Sequence, residues 1–250
     1  MGNAINALMA PLSVLNPEHI LFDRAAVRKH RDRAANLDWP HHRFLFQEVA
    51  ERLAERLFDI TTPFDLALDL GSRGGEFGEA LMATGRIGNV VRADLSEDML
   101  RLGSNPAPKV VTDEEFLPFR DNAFDLVGSV LDLHWTNDLP GALSLITRCL
   151  KPNGVFLGAL FGVDSLRELK LSLTEAEAEI RGGVSPRISP FTEVRDAGSL
   201  LQRAGLALPV TDVDVLTLEY PHPFALMKEL RGLGEANALI SREKSFTSCS

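Results

Sequence analysis

The sequence predicts an α/β fold with a doubly wound parallel sheet, on three observations. Short apolar runs alternate with amphipathic stretches of helical spacing, the pattern of repeated strand and helix units. The run Leu66-Ala67-Leu68-Asp69-Leu70 passes into a glycine-rich turn, GSRGGEFG, that opens a helix. Glycines in such a turn let backbone N–H groups approach a ligand at the helix N-terminus. The next apolar run, Val90 to Asp94, ends in an acid 23 residues beyond Gly71. That is near the ~20-residue offset at which a nucleotide-binding α/β unit presents a carboxylate to ribose hydroxyls.

Composition bounds the rest. The chain has 250 residues, 45% of them hydrophobic, enough for one sizeable core. A single domain over 21–240 is expected, after a flexible arm over 1–20 and before a polar tail over 241–250. A net charge of −9 argues against nucleic acid as a partner, because phosphate neutralisation needs clustered Lys and Arg. It favours a small molecule or a basic protein segment. The two cysteines, Cys149 and Cys249, form neither a disulfide framework nor a metal-ligand spacing, so no metal is expected and a reducing compartment fits. No stretch reaches the roughly 18–20 apolar residues of a membrane helix, so no transmembrane segment is expected.

Taken in order, the FDR at 22–24 opens a helix with a basic cluster of Arg28, Lys29, His30, Arg31 and Arg33. It reads either as a solvated face or as a flap over the ligand mouth. Phe44, Leu45, Val49, Leu53 and Leu57 have the spacing of a sheet-packing helix. After the turn, Phe77, Leu81 and Met82 mark the inward face of a helix, and Ser96 caps another with Met99 and Leu100 inward. Lys109 to Thr112 is a third strand, and Asp113, Glu114 and Glu115 follow it. Carboxylates there can accept from an exocyclic amine, or cap the next turn.

Phe124 to Ser129 is a fourth strand, with His134 and Trp135 on the loop beyond its end. A helix follows, capped at Asn137 or Asp138 with Pro140 in its first turn. LKPNG stops that helix, and Val155 to Phe161 is a fifth strand. An acidic helix over 165–179 breaks at Gly182-Gly183, and the GGVSPRISPF loop either faces a substrate or is a fixed surface loop. Then come a helix over 194–203, a sixth strand over 209–220 read from Val210, Val213, Val215 and Leu218, and a helix over 224–239.

With these residues placed, the chain resembles the class I S-adenosylmethionine-dependent methyltransferases. LDLG, the acid at Asp94, TDEEFLPF, FDLV, LHWTNDLPGAL and LKPNG occur in that family's order and spacing over 64–161. More narrowly, FDR…RDRAA, DEEFLPF, LHWTNDLPGAL, GGVSPRISPF and LMKELRGLGEANAL look like the mitochondrial complex I assembly factor methyltransferase-like family and its alphaproteobacterial relatives, over 21–239. The chain is similar, less specifically, to the malonyl carrier-protein O-methyltransferase of biotin synthesis.

The resemblance implies a Rossmann-like methyltransferase sheet of strand order 3-2-1-4-5-(7)-6 and S-adenosylmethionine as cofactor. It places the methionine part against Asp69, Gly71 and Gly75 and the ribose on Asp94, with Ser72, Arg73 and Leu95 also among the cofactor-binding residues. The adenine falls against Asp113 and Glu114, and backbone near Leu131 lies beside the sulfonium. Two departures stand out. Arg73 replaces the family's middle glycine, so a long cation enters where backbone comes closest to the ligand. It either obstructs the loop or holds the methionine carboxylate. Second, SREKSFTSCS at 241–250 carries no strand pattern. The seventh strand, which in the family lies antiparallel between the fifth and sixth, is therefore expected to be missing, leaving the sixth against the fifth or an open edge.

The expected function is methyl transfer to a protein substrate, a respiratory complex subunit, in complex I assembly. Alternatives are hydroxylation of an arginine on such a subunit, a non-catalytic assembly module, and carrier-protein or small-molecule O-methylation. Methyl transfer is an in-line displacement that depends on positioning more than on a dedicated base, so His134 is the one catalytic candidate. The implied compartment is the cytoplasm for a bacterial protein. For a eukaryotic one it is the mitochondrial matrix or the matrix face of the inner membrane.

Overall fold

Five strands, β1 (Phe64–Leu70), β2 (Ile87–Asp94), β3 (Lys109–Val111), β4 (Phe124–Val130) and β5 (Leu150–Ala159), form one sheet in the order β3-β2-β1-β4-β5. All four pairings are parallel. The structure is a computed structural model that describes residues 20–103, 106–183 and 185–242. Nearly all of the expected arm and tail therefore lie outside the described residues. Ala67, Leu68, Leu70, Leu126 and Val127 are buried in the central strands, as strands covered on both faces require.

Helices α3 (Phe44–Glu55) and α4 (Glu76–Ala83) cover one face, where Phe46, Ala50, Phe77 and Leu81 pack with Ala67, Val90 and Leu126. Helix α6 (Leu139–Cys149) covers the other with Leu143, Ile146 and Cys149, joined by Leu200 and Leu201 of α8 (Val194–Arg203). Each fully buried Leu, Ile or Phe among these contributes about 1.5–3 kcal/mol by leaving water. Met82, expected inward, is instead 40% exposed, because the buried stripe of α4 follows the four-residue spacing of Phe77 and Leu81.

Local signals set the ends of several elements. Asp23 starts α1 (Arg24–Ala35) by accepting the Ala26 N–H at 3.0 Å. Ser96 caps the short α5 (Glu97–Arg101) through the Met99 N–H at 3.1 Å, and Asp138 caps α6 through the Gly141 N–H at 2.8 Å. β5 begins earlier than expected, at Leu150, because the LKPNG stop is taken up as a bulge. There Asn153 has φ +65°, and Lys151 pairs with Asp125 of β4 at 2.9 Å. A proline is tolerated at such a bulge.

The expected sixth strand is corrected. Residues 209–220 form no strand, and the sheet has five strands among the described residues. Leu216 packs on the core, while Asp212 and Asp214 pair with Arg56 and Arg52 at 2.6 and 2.7 Å. Alternation specifies a half-buried surface without specifying a hydrogen-bonding neighbour, and the sheet of the described residues ends at β5, with neither a sixth strand nor an intervening seventh.

The expected helix over 224–239 also ends early. α9 spans Pro223–Gly232, and Gly234 has φ +80°, a left-handed C-terminal stop. After it the chain doubles back as a strap beside α1: Asp23 N–H donates to Ala238 at 2.8 Å, and Phe22 and Leu239 form an antiparallel bridge. A small third cluster of Phe22, Ala26, Val27, Trp135, Ala238 and Leu239 seals the two together.

Candidate active site

Parallel register places the carboxyl ends of β1 to β4 on one edge, where ligands bind in open α/β sheets. Asp69 of β1 lies beside Arg92 of β2, and Asp94 beside Val111 of β3. The turn after β1 is shaped for close approach: Gly71 has φ +72°, and a Cβ there would run into the Asp132 carboxylate. Gly75 has φ +103°, with Arg92 Cζ 2.8 Å from the place of its Cβ. Arg92 ties the turn down, donating to the Arg73 and Leu102 carbonyls at 2.7 and 3.0 Å.

Asp94 faces this turn. Its Oδ2 accepts the N–H of Arg73 at 2.9 Å, and its Oδ1 that of Ser96 at 2.8 Å. Glu114, after β3, and Asp132, after β4, are also fully buried. Glu235 of the strap completes a set of four acids drawn from four separate segments.

Three arginines answer these acids. Arg31, fully buried on α1, puts Nη1 at 3.1 Å from Glu114 and 3.3 Å from Asp94, and its Nη2 binds Asp132. Arg24, seven positions earlier and so on the same helix face, pairs with Asp113 at 2.8 Å and with Glu114. Arg31 is therefore not part of a solvated face. Arg73, with φ +49°, sends Nη2 to Glu235 at 2.7 Å and to within 3.6 Å of Asp132. Its guanidinium carbon sits 5.0 Å from the centre of the Phe46 ring, a cation–π distance.

His134 lies on a 3₁₀ turn, Leu133–Trp135, just past β4. Its Nε2 is 3.0 Å from Glu235 Oε2, which also accepts the Trp135 Nε1–H at 2.8 Å. The imidazole packs against Phe161 at 4.9 Å and Phe191 at 6.2 Å. Phe191 belongs to the GGVSPRISPF loop, whose Ser185 N–H and hydroxyl donate to Glu177 at 2.7 and 2.8 Å. Burial alone would raise the Glu235 carboxyl; the Arg73 cation and the His134 hydrogen bond outweigh it and hold the group below its ordinary range. On Arg73 burial acts in the opposite sense, pulling its guanidinium down with help from the like charge of Arg31.

Of the sequence-predicted residues, Asp69, Gly71, Ser72, Arg73, Gly75, Asp94, Asp113 and Glu114 come together at this edge. Leu131, with φ +48°, also sits at the rim, its N–H donating to Ala159 at 2.8 Å. Leu95 instead packs on the cluster of Phe22 and Trp135. Glu115, read as ligand or cap, accepts the Asn137 and Asp138 N–H groups ahead of α6. Sequence reasoning missed Glu235, Asp132 and Arg92; the only signal for Glu235 was its place in the LMKELRGLGEANAL motif.

The residues fit a polar, charged ligand. Asp69 Oδ1, Ser72 Oγ, Arg73 Nη1 and Asp132 Oδ2 are buried without a hydrogen-bond partner among the described residues, and native interiors rarely leave such atoms unpaired. The cavity between Phe46, Asp69, Gly71, Ser72 and Arg73 measures about 10 Å³, room for one water at most. A larger cavity of about 470 Å³ lies outside, bounded by Phe22, Arg24, Glu115, Asn137 and Arg242. Arg24 stands between it and Glu114.

Asp69 gives the site a pH signature. Burial pushes its carboxyl up to about 7 from 3.8, with Arg92 and the Gly78 N–H offsetting only part. Because the folded value is the higher one, the stabilisation from protonated Asp69 is complete below about pH 4 and is lost as pH rises through about 7. Asp69→Asn removes that loss: at about pH 8 the variant should exceed the parent protein in unfolding free energy by on the order of 2–4 kcal/mol. The gap should close toward about pH 4 in urea titrations; a pH-independent gap would exclude the assignment.

These features define a methyltransferase fold, and comparisons with known proteins agree. The methyltransferase-domain family matches residues 68–158. A chain of the complex between the Haloferax volcanii Trm112 methyltransferase activator and a methyltransferase aligns with a TM-score of 0.58 at 22% identity, covering 83% of this chain and 94% of that one. An S-adenosylmethionine-dependent methyltransferase of Thermotoga maritima aligns with a TM-score of 0.51 at 18% identity, over 71% and 80% of the two chains.

Sequence relatives narrow the class. Arginine-hydroxylase NDUFAF5 of Homo sapiens is 47% identical, over 89% of this chain and 66% of its own length. That of Danio rerio is 42% identical, over 89% and 70%. The malonyl-[acyl-carrier protein] O-methyltransferase of a Methylovorus strain is 32% identical, over 90% and 78%. The chain belongs to the NDUFAF5 family, and spans about two thirds of the human relative's length.

Proposed function

We propose that this protein binds S-adenosylmethionine at the carboxyl edge of β1 to β4 and modifies a cationic side chain, an arginine, on a protein partner in respiratory complex assembly. The observation that carries this is Asp94, buried at the end of β2 with its carboxylate aimed by the N–H groups of Arg73 and Ser96. A buried acid so placed suits a ribose diol. The turn at Asp69, Gly71, Ser72 and Gly75 would take the methionine part, and Asp113 and Glu114 the adenine amine. Arginine as the substrate class is supported by the name of the relatives. It is supported too by acids that already accept three guanidinium groups of this chain.

Bound there, the cofactor would supply an electrophilic methyl group. The chain's own part is to hold the nucleophile in line and receive its proton. His134 is suited to receiving that proton, because Glu235 fixes Nε2 and Nδ1 is buried without a partner among the described residues. A carboxylate-oriented imidazole with its second nitrogen available is the usual form of a general base. A second reading, favoured by the relatives' name, is arginine hydroxylation. That reaction places one atom of O₂ on the arginine side chain and reduces the other to water with two electrons and two protons, the electrons coming from an external donor. In a eukaryotic cell the site of action would be mitochondrial, as the relatives' names say of them.

Calorimetric titration with S-adenosylmethionine tests the first step, with saturable binding expected. Mass spectrometry of the partner subunit then separates the readings, since methylation adds one CH₂ and hydroxylation one oxygen. No binding at millimolar cofactor rejects the cofactor site, and an unmodified partner leaves a non-catalytic assembly module.

A further inference from the structure

We infer that α1 is an internal gate on the cofactor site: Arg31 occupies the carboxylate seat that the ribose and adenine require, and the cofactor is admitted only when Arg31 withdraws. This rests on reading that edge as the S-adenosylmethionine site. The seat is specific. One buried guanidinium reaches the acid that ends β2 and those that follow β3 and β4, Asp94, Glu114 and Asp132. Asp94 Oδ1 is thereby filled, shared by Ser96 N–H and Arg31, while Oδ2 accepts from Arg73 N–H. The space left at the glycine turn, about 10 Å³, admits no methionine.

The lock is strong in charge and incomplete in hydrogen bonds. Arg31 Nε and Asp132 Oδ2 are both buried without partners among the described residues. Unmade bonds in a desolvated ion cluster are costly, and a ligand that completed them would gain that free energy back. The roof also buries little apolar surface of its own. The apolar residues α1 buries are Ala26, Val27 and Ala34, all small, and its ends are tied by polar contacts. Asp23 bonds to Arg242 at 2.8 Å, Asp32 to Ser96 at 2.5 Å and Asn36 to Asp98 at 2.8 Å. Arg24, on the same face, separates the outer cavity from Glu114, so withdrawal of the two arginines joins that cavity to the acids.

Arg31→Met tests the gate without orphaning the acids, since Glu114 keeps Arg24, Asp132 keeps Arg73 and Asp94 keeps two N–H groups. A protein open only a fraction of the time binds with affinity reduced by that fraction. Arg31→Met should therefore bind S-adenosylmethionine at least about tenfold more tightly than the parent protein by calorimetry. Equal or weaker binding overturns the gate, weaker binding making Arg31 a ligand of the cofactor instead. If neither protein binds, the cofactor reading fails and takes the gate with it.

Stopped-flow fluorescence of the unmodified protein decides independently of how the variant folds. The reporter is Trp135, hydrogen-bonded to Glu235. The binding rate should level off at high S-adenosylmethionine as Arg31 withdrawal becomes limiting. A rate rising linearly to the highest concentration overturns the gate.

Discussion

Glu235→Leu should lower the unfolding free energy by about 3–5 kcal/mol, read as a shifted urea midpoint at unchanged slope. Glu235 is the one acid that the strap after α9 brings to the sheet edge. It pairs with Arg73 at 2.7 Å and accepts from His134 and Trp135 at 3.0 and 2.8 Å. Removing it leaves the Arg73 cation buried with only Asp132, 3.6 Å away and already bound to Arg31. Breaking a buried pair from one side costs far more than the pair contributes, whereas replacing both partners by apolar groups is close to neutral. Arg73→Met with Glu235→Leu should accordingly recover about half of the loss. Met fits beside Phe46, on which the Arg73 guanidinium already rests. Recovery stays partial because the buried Trp135 Nε1–H still lacks its acceptor, at about 1–3 kcal/mol. A single substitution costing under about 1 kcal/mol would show that Arg73 and Glu235 are not coupled.

What could be read in the sequence depended on whether the deciding interaction was local. β1, β2 and β4 each carry a short apolar run, Leu66–Leu68, Val90–Val91 and Leu126–Val127, where the sheet is covered, and that shows in one dimension. The Ser96 cap is set within three residues, by Met99 N–H, and α8 was legible because Gly205, φ +90°, stops it two residues past its end. Asp94 was legible through its offset from the turn, fixed by the length of one helix and one strand. The partners of these acids were not. A basic stretch such as 28–33 is usually a solvated face, and only tertiary placement of α1 puts Arg31 at 0% exposure while Arg28 stays in water. Glu235 was hidden for a similar reason, as its approach to Arg73 spans 162 positions and a helix end at Gly232. Residues 209–220 failed differently. Their alternation is real, but Arg56 and Arg52 hold Asp212 and Asp214, and no strand among the described residues pairs with the segment.

Asp94→Ala should separate the two roles of the site's central acid. For the fold, the substitution strands the buried N–H groups of Arg73 and Ser96, each about 1–3 kcal/mol. It also removes one of three acids from Arg31, so a stability loss of about 2–5 kcal/mol is expected in urea. For the ligand, the ribose loses a charged acceptor, worth about 1.5–3 kcal/mol per hydrogen bond, so at least about 100-fold in affinity for a diol held at both hydroxyls. Asp113→Ala supplies the contrast. Asp113 is partly exposed, with an 18% accessible side chain paired to Arg24, so its stability cost should stay below about 1 kcal/mol. A tight ligand raises the midpoint of the protein that binds it, so both proteins are unfolded with and without S-adenosylmethionine. Asp113→Ala should keep a ligand-dependent midpoint shift and Asp94→Ala should lose it. If Asp94→Ala binds within about threefold of the parent protein, the ribose does not rest on Asp94 and the acid serves only to hold the turn.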